Sequence, residues 1–298
     1  MSLIPYDDRD GFIWFDGKLV PWREAKVHFL THCMHYGSGV FEGLRAYGGT
    51  PFKLTEHSQR MLDGCQTMDM KIPYDLQQIN QACLETVRAN KITDGYIRPL
   101  AWRGAEQMGV SATKSKIHFA VAAWEWPYYF TSEVKEKGIR LKRAKWRRPP
   151  EFCAPVHAKA AGLYMICTLS KNQAELEGYH DALMLDYRGY VAELTSANFF
   201  IVKNGEIHTP TPDCFLNGIT RQTVIQLAKD SGIKVIERHI MPEELDSADE
   251  CFATGTAVEV APIGHIEGRD YKVGPISRLM LEKYEKLVRQ APAKSTAA

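Results

Sequence analysis

The sequence predicts a mixed α/β protein built as two domains, and three observations predict it. The chain has 298 residues, the length at which single cores stop growing, so one large or two modest domains are expected. Segments alternating apolar and polar residues in twos are interleaved with segments of helical period, so strands and helices share the chain. Near the middle, residues 126–138 start with Pro and aromatics, end polar, and follow neither period. That stretch reads as a connector between a smaller domain, 1–125, and a larger one, 139–298.

The elements follow in order. Phe12 to Trp22 holds Asp16-Gly17, a hairpin turn between alternating residues. Val40 to Leu54 repeats the pattern around Gly48-Gly49. A helix is expected from Glu56 to Met70 with Thr55 as its cap, and a second from Asp75, where Gln78 completes a capping box. Ile79, Ala82, Cys83, Thr86 and Val87 fall on one face of that second helix. Strands are expected over Tyr96–Trp102 and Lys116–Trp124. Beyond the connector come a strand over Ile139–Trp146 and a helix over Leu163–Glu177 that Gly178 ends. Ala182–Asp186 and Tyr190–Glu193 read as strands around Arg188-Gly189, and Phe199–His208 as a hairpin with Asn204-Gly205 at its tip. A helix over Ile219–Ser231, strands over Lys234–Ile240 and Cys251–Thr254, and a last helix over Pro275–Gln290 complete the fold. The final eight residues lack large side chains and are expected to be disordered; no internal repeat is found.

Composition removes several functions. Lys plus Arg is 37 against 36 Asp plus Glu, a net charge of +1, so no general field exists to gather nucleic acid or an acidic membrane. The longest apolar run, Phe119 to Trp124, is far short of the roughly 20 residues a membrane span needs. The N-terminus has no basic start followed by an apolar stretch, unlike a signal peptide, and it is acidic, unlike a transit peptide. Seven scattered cysteines without a C-x-x-C pair fit reduced thiols and a cytoplasmic setting.

Several motifs invite a chemical reading and then lose it. Gly37-Ser38-Gly39…Gly43 is one residue too long for a dinucleotide loop and has no strand–loop–helix around it. Asp8-x-Asp10-Gly11 resembles part of a calcium loop, but Tyr6 holds the first ligand position. His28, His32 and His35 align at helical spacing, yet Phe29, Leu30 and Met34 interleave with them and no acid or cysteine completes a metal set. Lys142, Arg143, Lys145, Arg147 and Arg148 surround Trp146, which the balanced charge reads as a solvated strand edge or a local anion contact.

Other features keep their weight. Gly218-Ile219-Thr220-Arg221 opens a helix, whose first N–H groups and dipole favour an anion. Ala253-Thr254-Gly255-Thr256-Ala257 follows a strand and offers similar donors. Lys159 sits among Ala158, Ala160, Ala161 and Gly162, small neighbours that leave room for a bulky group beside a desolvated amine. Glu193 ends an apolar strand. A nucleophilic lysine, an anion site and a buried carboxylate together match what pyridoxal phosphate needs.

These residues, taken in order, resemble a family. His35-Tyr36-Gly37, Phe41-Glu42-Gly43-Leu44-Arg45, Tyr96-Ile97-Arg98-Pro99 and Met108-Gly109-Val110 are followed by Ala158-Lys159, Gly162-x-Tyr164 and Glu193. Asn198-Phe199-Phe200, Gly218-Ile219-Thr220-Arg221 and Gly255-Thr256-Ala257-x-Glu259 complete the series. From about Phe12 to Leu287 the chain resembles the fold-type IV pyridoxal-phosphate enzymes, and among them the branched-chain amino acid aminotransferases.

The resemblance implies an α+β fold with the cofactor in the cleft between two domains. It makes Lys159 the Schiff-base lysine, Glu193 the partner of the pyridinium nitrogen and Tyr164 the partner of the ring's phenolic oxygen. Arg60, the Ile219 and Thr220 backbone and the Thr256 hydroxyl would hold the phosphate. Tyr96 and the amides of Thr256 and Ala257 would take the substrate α-carboxylate; Arg98, with Tyr36 and Tyr129, would take a second carboxylate. Phe41, Val110, Trp126 and Tyr129 would line the apolar pocket, and Tyr96-x-Arg98 with Arg45 favours the L-enzyme. The implied reaction moves the amino group of leucine, isoleucine or valine to 2-oxoglutarate by a ping-pong route, in a homodimer or higher homo-oligomer that needs no metal. Alternatives in the same fold are a D-amino acid or (R)-amine transaminase and an aminodeoxychorismate lyase. A non-catalytic scaffold would have no use for Lys159, Glu193 and the phosphate set. Departures at Leu163, Ile166-Cys167 and Leu194-Thr195-Ser196 remove no catalytic group.

Overall fold

The computed structural model describes residues 4–126 and 132–290. They divide into two compact units, one of residues 4–126 with Ala158–Gly162, the other of residues 132–157 with 163–290. The segment carrying Lys159 thus packs with the first unit although it lies more than thirty residues beyond that unit's main stretch, a return that no linear division of the sequence contains.

In the first unit, β1 (Phe12–Phe15), β2 (Lys18–Pro21), α1 (His32–Tyr36), β3 (Gly39–Phe41), β4 (Leu44–Tyr47), β5 (Thr50–Pro51), α2 (Leu54–Thr67), α3 (Leu76–Ala89), β6 (Gly95–Arg103) and β7 (Ile117–Glu125) follow one another. The strands form a seven-stranded antiparallel sheet ordered β2-β1-β7-β6-β4-β5, with β3 also on β6. The β1–β2 turn is the predicted Asp16-Gly17, with φ of 47° and 99°, the left-handed pair that such hairpins require. One sheet face, carrying Leu44, Ala46, Ile97, Ala101, Phe119, Val121 and Ala123, packs with Met61, Cys65, Ile79, Ala82, Cys83 and Val87 of α2 and α3 into a single core. The two-residue period then sends Phe41, Arg45, Tyr96 and Arg98 to the other face. The Asp75–Gln78 capping box of α3 is present, with both reciprocal bonds at 2.9 Å. Thr55 is not the cap of α2. The helix starts at Leu54, directly after Lys53 in the left-handed region (φ 52°), and the Thr55 hydroxyl accepts from Asn80 of α3 at 3.2 Å. It also ends at Thr67, short of Met70.

The second unit holds α4 (Ser132–Lys137), β8 (Ile139–Arg143), α5 (Tyr164–Leu176), β9 (Asp181–Leu185), β10 (Val191–Leu194), β11 (Asn198–Lys203), β12 (Glu206–Thr209) and α6 (Ile219–Asp230). β13 (Val235–Glu237), β14 (Glu250–Gly255), β15 (Glu259–Ile266), β16 (Arg269–Asp270) and α7 (Pro275–Val288) complete it. Its nine-stranded sheet runs β10-β9-β8-β15-β14-β11-β12-β13, with β16 on β15. Because β10 also pairs with β11, six of these strands close into a ring. Ile139, Leu141, Leu183, Phe199, Ile201, Ala253, Ala261 and Ile263 belong to the core of that ring. Phe200 and Phe252, which alternate with core residues on β11 and β14, stack at 4.7 Å on the other face. One helix and two strands depart from the sequence expectation. α4 lies inside the stretch read as connector, and β15 and the two-residue β16 have no counterpart among the expected strands; Pro262 and Gly264 interrupt the apolar run of β15. The last eight residues, 291–298, lie outside the described residues. Among the described residues, no helix is long and apolar enough to cross a membrane.

Candidate active site

The first unit supplies a cationic face. Arg45 on β4 sits directly opposite Tyr96 on β6, and Arg98 follows two residues along the same side. Tyr96 reaches its place only because position 43 is glycine; a Cβ there would stand 1.8 Å from the Tyr96 hydroxyl. The Arg98 guanidinium lies 4.8 Å from the Phe41 ring centroid and 5.3 Å from that of Tyr96, and its Nη2 donates to the Tyr96 hydroxyl at 3.4 Å. Arg45, buried, donates to the Trp126 carbonyl at 3.4 Å. The Nε of each arginine is buried without a hydrogen-bond partner, and no carboxylate pairs with either among the described residues. A face with two such guanidinium groups and a phenol is suited to a carboxylate ligand, which would satisfy them.

Lys159 belongs to the same unit. Ala160 bridges to Val40, and the Phe41 amide donates to the Lys159 carbonyl at 3.1 Å, so the segment runs beside β3. The ammonium lies 4.8 Å from the Phe41 ring centroid. Desolvation lowers its pKa and the charges of Arg60 and Arg98 act in the same direction, outweighing the opposing influence of Glu42 and Tyr96. The amine is therefore displaced toward its neutral, nucleophilic form.

Glu42 is the residue under this face that sequence reasoning quoted without giving it a role. It is buried and accepts from Arg60 Nε at 2.7 Å, Arg60 Nη2 at 2.8 Å and His57 Nδ1 at 2.7 Å. Burial alone would raise its pKa, but the Arg60 charge and the His57 contact hold the carboxyl well below the usual range. Arg60, expected at a phosphate, is thus oriented by a bidentate carboxylate.

The second unit presents a carboxylate and an uncapped helix. β10 carries a bulge between Val191 and Glu193, so that Glu193 pairs with both Met184 and Asn198. Bulges re-aim side chains in this way. Arg148 Nε lies 3.4 Å from Glu193 Oε1, and Asn198 Nδ2 donates to Glu193 Oε2 at 3.2 Å. The basic run around Trp146 therefore turns one member, Arg148, into the interior, where it also donates to the Cys214 carbonyl and to Cys167 Sγ. Burial would lower the Arg148 pKa, and Glu193 reverses this. Ile219 and Thr220 are the first two residues of α6, both buried, and no side chain among the described residues caps that helix. Opposite Asn198 across the β11–β14 pair stands Thr254, whose buried hydroxyl has no hydrogen-bond partner among the described residues. Thr256 and Ala257 form the turn from β14 to β15, and Tyr164 opens α5. An uncapped helix start and an orphaned hydroxyl on one side, with a structurally anchored carboxylate on the other, fit a group that carries a phosphate and a basic ring nitrogen.

Two other expected residues are exposed. Tyr36 on α1 is 46% exposed and Val110 85% exposed, the latter in a loop tied to α1 by the His32 Nε2 contact to the Gly109 carbonyl at 2.9 Å. The Trp126 ring lies 5.5 Å from Tyr96, and Tyr129 is outside the described residues. The histidine trio is structural, with His32 Nδ1 on Ser38 at 2.6 Å and His35 Nε2 on the Phe29 carbonyl at 3.0 Å. Among the described residues, Asp186, Asp213 and Cys214 bring possible metal-ligand atoms together, but Arg188 bridges both carboxylates.

Comparison with known proteins places this geometry. The family model described as amino-transferase class IV matches residues 39–266. A branched-chain-amino-acid aminotransferase of Pseudomonas aeruginosa is 42% identical over 288 residues, 94% of each chain. The solved T.th. branched-chain amino acid aminotransferase with pyridoxamine 5'-phosphate superposes with a TM-score of 0.92 at 40% identity, over 95% of this chain and 96% of that one. The same T.th. enzyme complexed with N-(5'-phosphopyridoxyl)-L-glutamate gives 0.90 at 38% identity, over the same shares.

Proposed function

We propose that this chain, which belongs to the class IV amino-transferase family, is a pyridoxal-phosphate-dependent aminotransferase that moves the amino group of L-leucine, L-isoleucine or L-valine to 2-oxoglutarate. The observation that carries the reading is Lys159, its amine desolvated over Phe41 beside a face of guanidinium groups without carboxylate partners. The glutamate adduct held by the T.th. relative supports a five-carbon dicarboxylate as one of the two partners.

The bound cofactor supplies an electron sink for the pair left when the substrate's Cα proton departs. With that cofactor bound, Lys159 would be the group that takes the Cα proton as base and returns it as acid, a role its lowered pKa suits. Glu193, fixed by Arg148 and Asn198, keeps a proton on the ring nitrogen as a close anionic partner. The resemblance implies that Arg60, the Ile219 and Thr220 backbone and the Thr256 hydroxyl would hold the phosphate, and that Tyr164 would meet the phenolic oxygen. Tyr96 and the amides of Thr256 and Ala257 receive the α-carboxylate. Arg98 with Tyr36 and Tyr129 takes the second carboxylate of the oxo acid, and Phe41, Val110 and Trp126 accept the aliphatic chain.

We place the enzyme in the cytoplasm as a homodimer or a multiple of one. Free cysteines fit a reducing compartment. Phe29, Leu30, Met34, Tyr36, Met108 and Val110 form an exposed apolar face next to residues assigned to the substrate pocket, the arrangement expected where a second copy completes it.

The test is direct. The purified protein should be yellow, and borohydride should fix the cofactor to Lys159. Lys159→Ala should lower kcat by at least about a thousandfold, the scale of a lost acid–base group. L-Leucine, L-isoleucine or L-valine with 2-oxoglutarate should yield the matching 2-oxo acid. Activity confined to D-alanine or (R)-1-phenylethylamine would move the assignment to the D-amino acid or amine transaminases.

A further inference from the structure

We infer that Asn198 is a positioning residue that ties the carboxylate serving the ring nitrogen to the helix start serving the phosphate, so that the two ends of the cofactor site act as one unit. The inference rests on the roles proposed above for Glu193 and the α6 N-terminus. Asn198 is the first residue of β11 and is 5% exposed. Its amide has one donating nitrogen and one accepting oxygen, and both are committed. Nδ2 donates to Glu193 Oε2 at 3.2 Å and to the Leu216 carbonyl at 3.0 Å, using both of its hydrogens. Oδ1 accepts from the Gly218 amide at 3.1 Å. Because Nδ2 faces two oxygens and Oδ1 faces an N–H, the amide has one workable orientation and cannot flip without losing all three bonds.

The local backbone is built to allow this. Gly218 is the residue before α6, and a Cβ on it would stand 2.2 Å from Asn198 Oδ1. The bulge in β10 brings Glu193 opposite Asn198. Arg148 occupies the other oxygen of Glu193, so the carboxylate is clamped between a cation and a neutral donor. An apolar residue at position 198 would leave buried acceptors at Glu193 and Leu216 and a buried donor at Gly218. Aspartate would keep the acceptor toward Gly218 and replace the donor toward Glu193 by a second carboxylate, which separates the two halves of the function.

The test compares pyridoxal phosphate with its 1-deaza analogue, whose ring carries carbon in place of nitrogen, in binding titrations on the full-length protein freed of cofactor. Glu193→Gln is the control. It should weaken pyridoxal phosphate by about tenfold or more and leave the deaza analogue nearly unchanged, because the lost interaction is with the ring nitrogen. Asn198→Asp should show the same selectivity. Asn198→Ala should weaken both ligands, since it also releases the helix start, and should weaken pyridoxal phosphate more. An Asn198→Asp protein that binds both ligands as the wild type does, or loses both equally, overturns the inference while Glu193→Gln still discriminates. If Glu193→Gln fails to discriminate, the assignment of Glu193 to the ring nitrogen falls instead. A purely structural role for Asn198 predicts loss of stability with an unchanged ratio between the two ligands.

Discussion

Glu42 shows how one buried residue sets the chemistry above it. Its carboxylate receives three charged or ring N–H donors, from Arg60 and His57, and it stands in the electrostatic surroundings of Lys159. Removing such a partner leaves a buried cation exposed to a low-dielectric interior, a loss of about 3–5 kcal/mol in comparable pairs. Glu42→Gln should therefore destabilise the protein by that order near neutral pH. The pH dependence has a defined sign. The folded pKa of Glu42 lies below its ordinary 4.5, so its ionisation stabilises the fold above that value and the contribution fades as pH falls through the window beneath it. His57 acts in the same sense. Its folded pKa is also lowered, first by burial, so the unfolded chain binds a proton that the folded chain refuses as pH drops below 6.5. Urea unfolding from neutral pH down to about pH 3 checks this: the stability gap between wild type and Glu42→Gln should narrow in the acid range. A gap constant with pH would show that Glu42 acts through packing alone.

Elements are legible in proportion to how local their causes are. The α3 capping box and the Asp16-Gly17 hairpin are written in three or four adjacent residues, and both are present. The start of α2 departs from expectation because the left-handed Lys53 ends the preceding loop, while Thr55, the better cap by type, is drawn to Asn80. β15 is hidden in the sequence because Pro262 and Gly264 mask its apolar pattern; it is set by pairing with β14 and β8. The candidate site divides in the same way. Lys159, Glu193 and the α6 start are readable as residue types in the right local setting. Arg148, Asn198 and Thr254 are not, since what distinguishes them is a partner, or an absent one, brought near by the bulge and the β11–β14 register. Two substitutions separate stability from binding at this scale. Asp75→Ala removes the α3 cap and should cost about 1 kcal/mol in thermal unfolding with cofactor affinity unchanged. Gly218→Ala drives a Cβ into Asn198 Oδ1 and should lower cofactor affinity about tenfold or more in a binding titration. Wild-type affinity in Gly218→Ala would mean that the helix start does not hold the phosphate.

For the whole molecule, the near-zero net charge acquires a purpose. The proposed ligands carry a phosphate and one or two carboxylates, yet Lys plus Arg exceeds Asp plus Glu by one, 37 against 36. In the proposed site, recognition rests on placed groups such as Arg98, Arg60 and the α6 start, so catalytic efficiency should depend only weakly on ionic strength at long range. The same balance removes charge repulsion as an obstacle to self-association. Several exposed apolar side chains of the first unit lie on or beside α1 and the loop tied to it, with Phe29 71%, Met34 61% and Val110 85% exposed. Tyr36 and Val110 are also residues expected to shape substrate specificity, so the face that would bury them on association and the face that would need them for substrate are the same. Phe29→Asp combined with Met34→Asp places two charges in that face while sparing Lys159, Glu193 and the groups proposed to hold the phosphate. Sedimentation velocity should show the wild type at twice the chain mass or a multiple of it and the double variant at about 33.7 kDa. Borohydride should still fix cofactor to Lys159 in the variant, while KM for the amino acid rises, because the pocket wall and the dimer are lost together. A monomeric variant with unchanged KM would show that one chain holds the whole pocket; an unchanged oligomer would place the interface on another face.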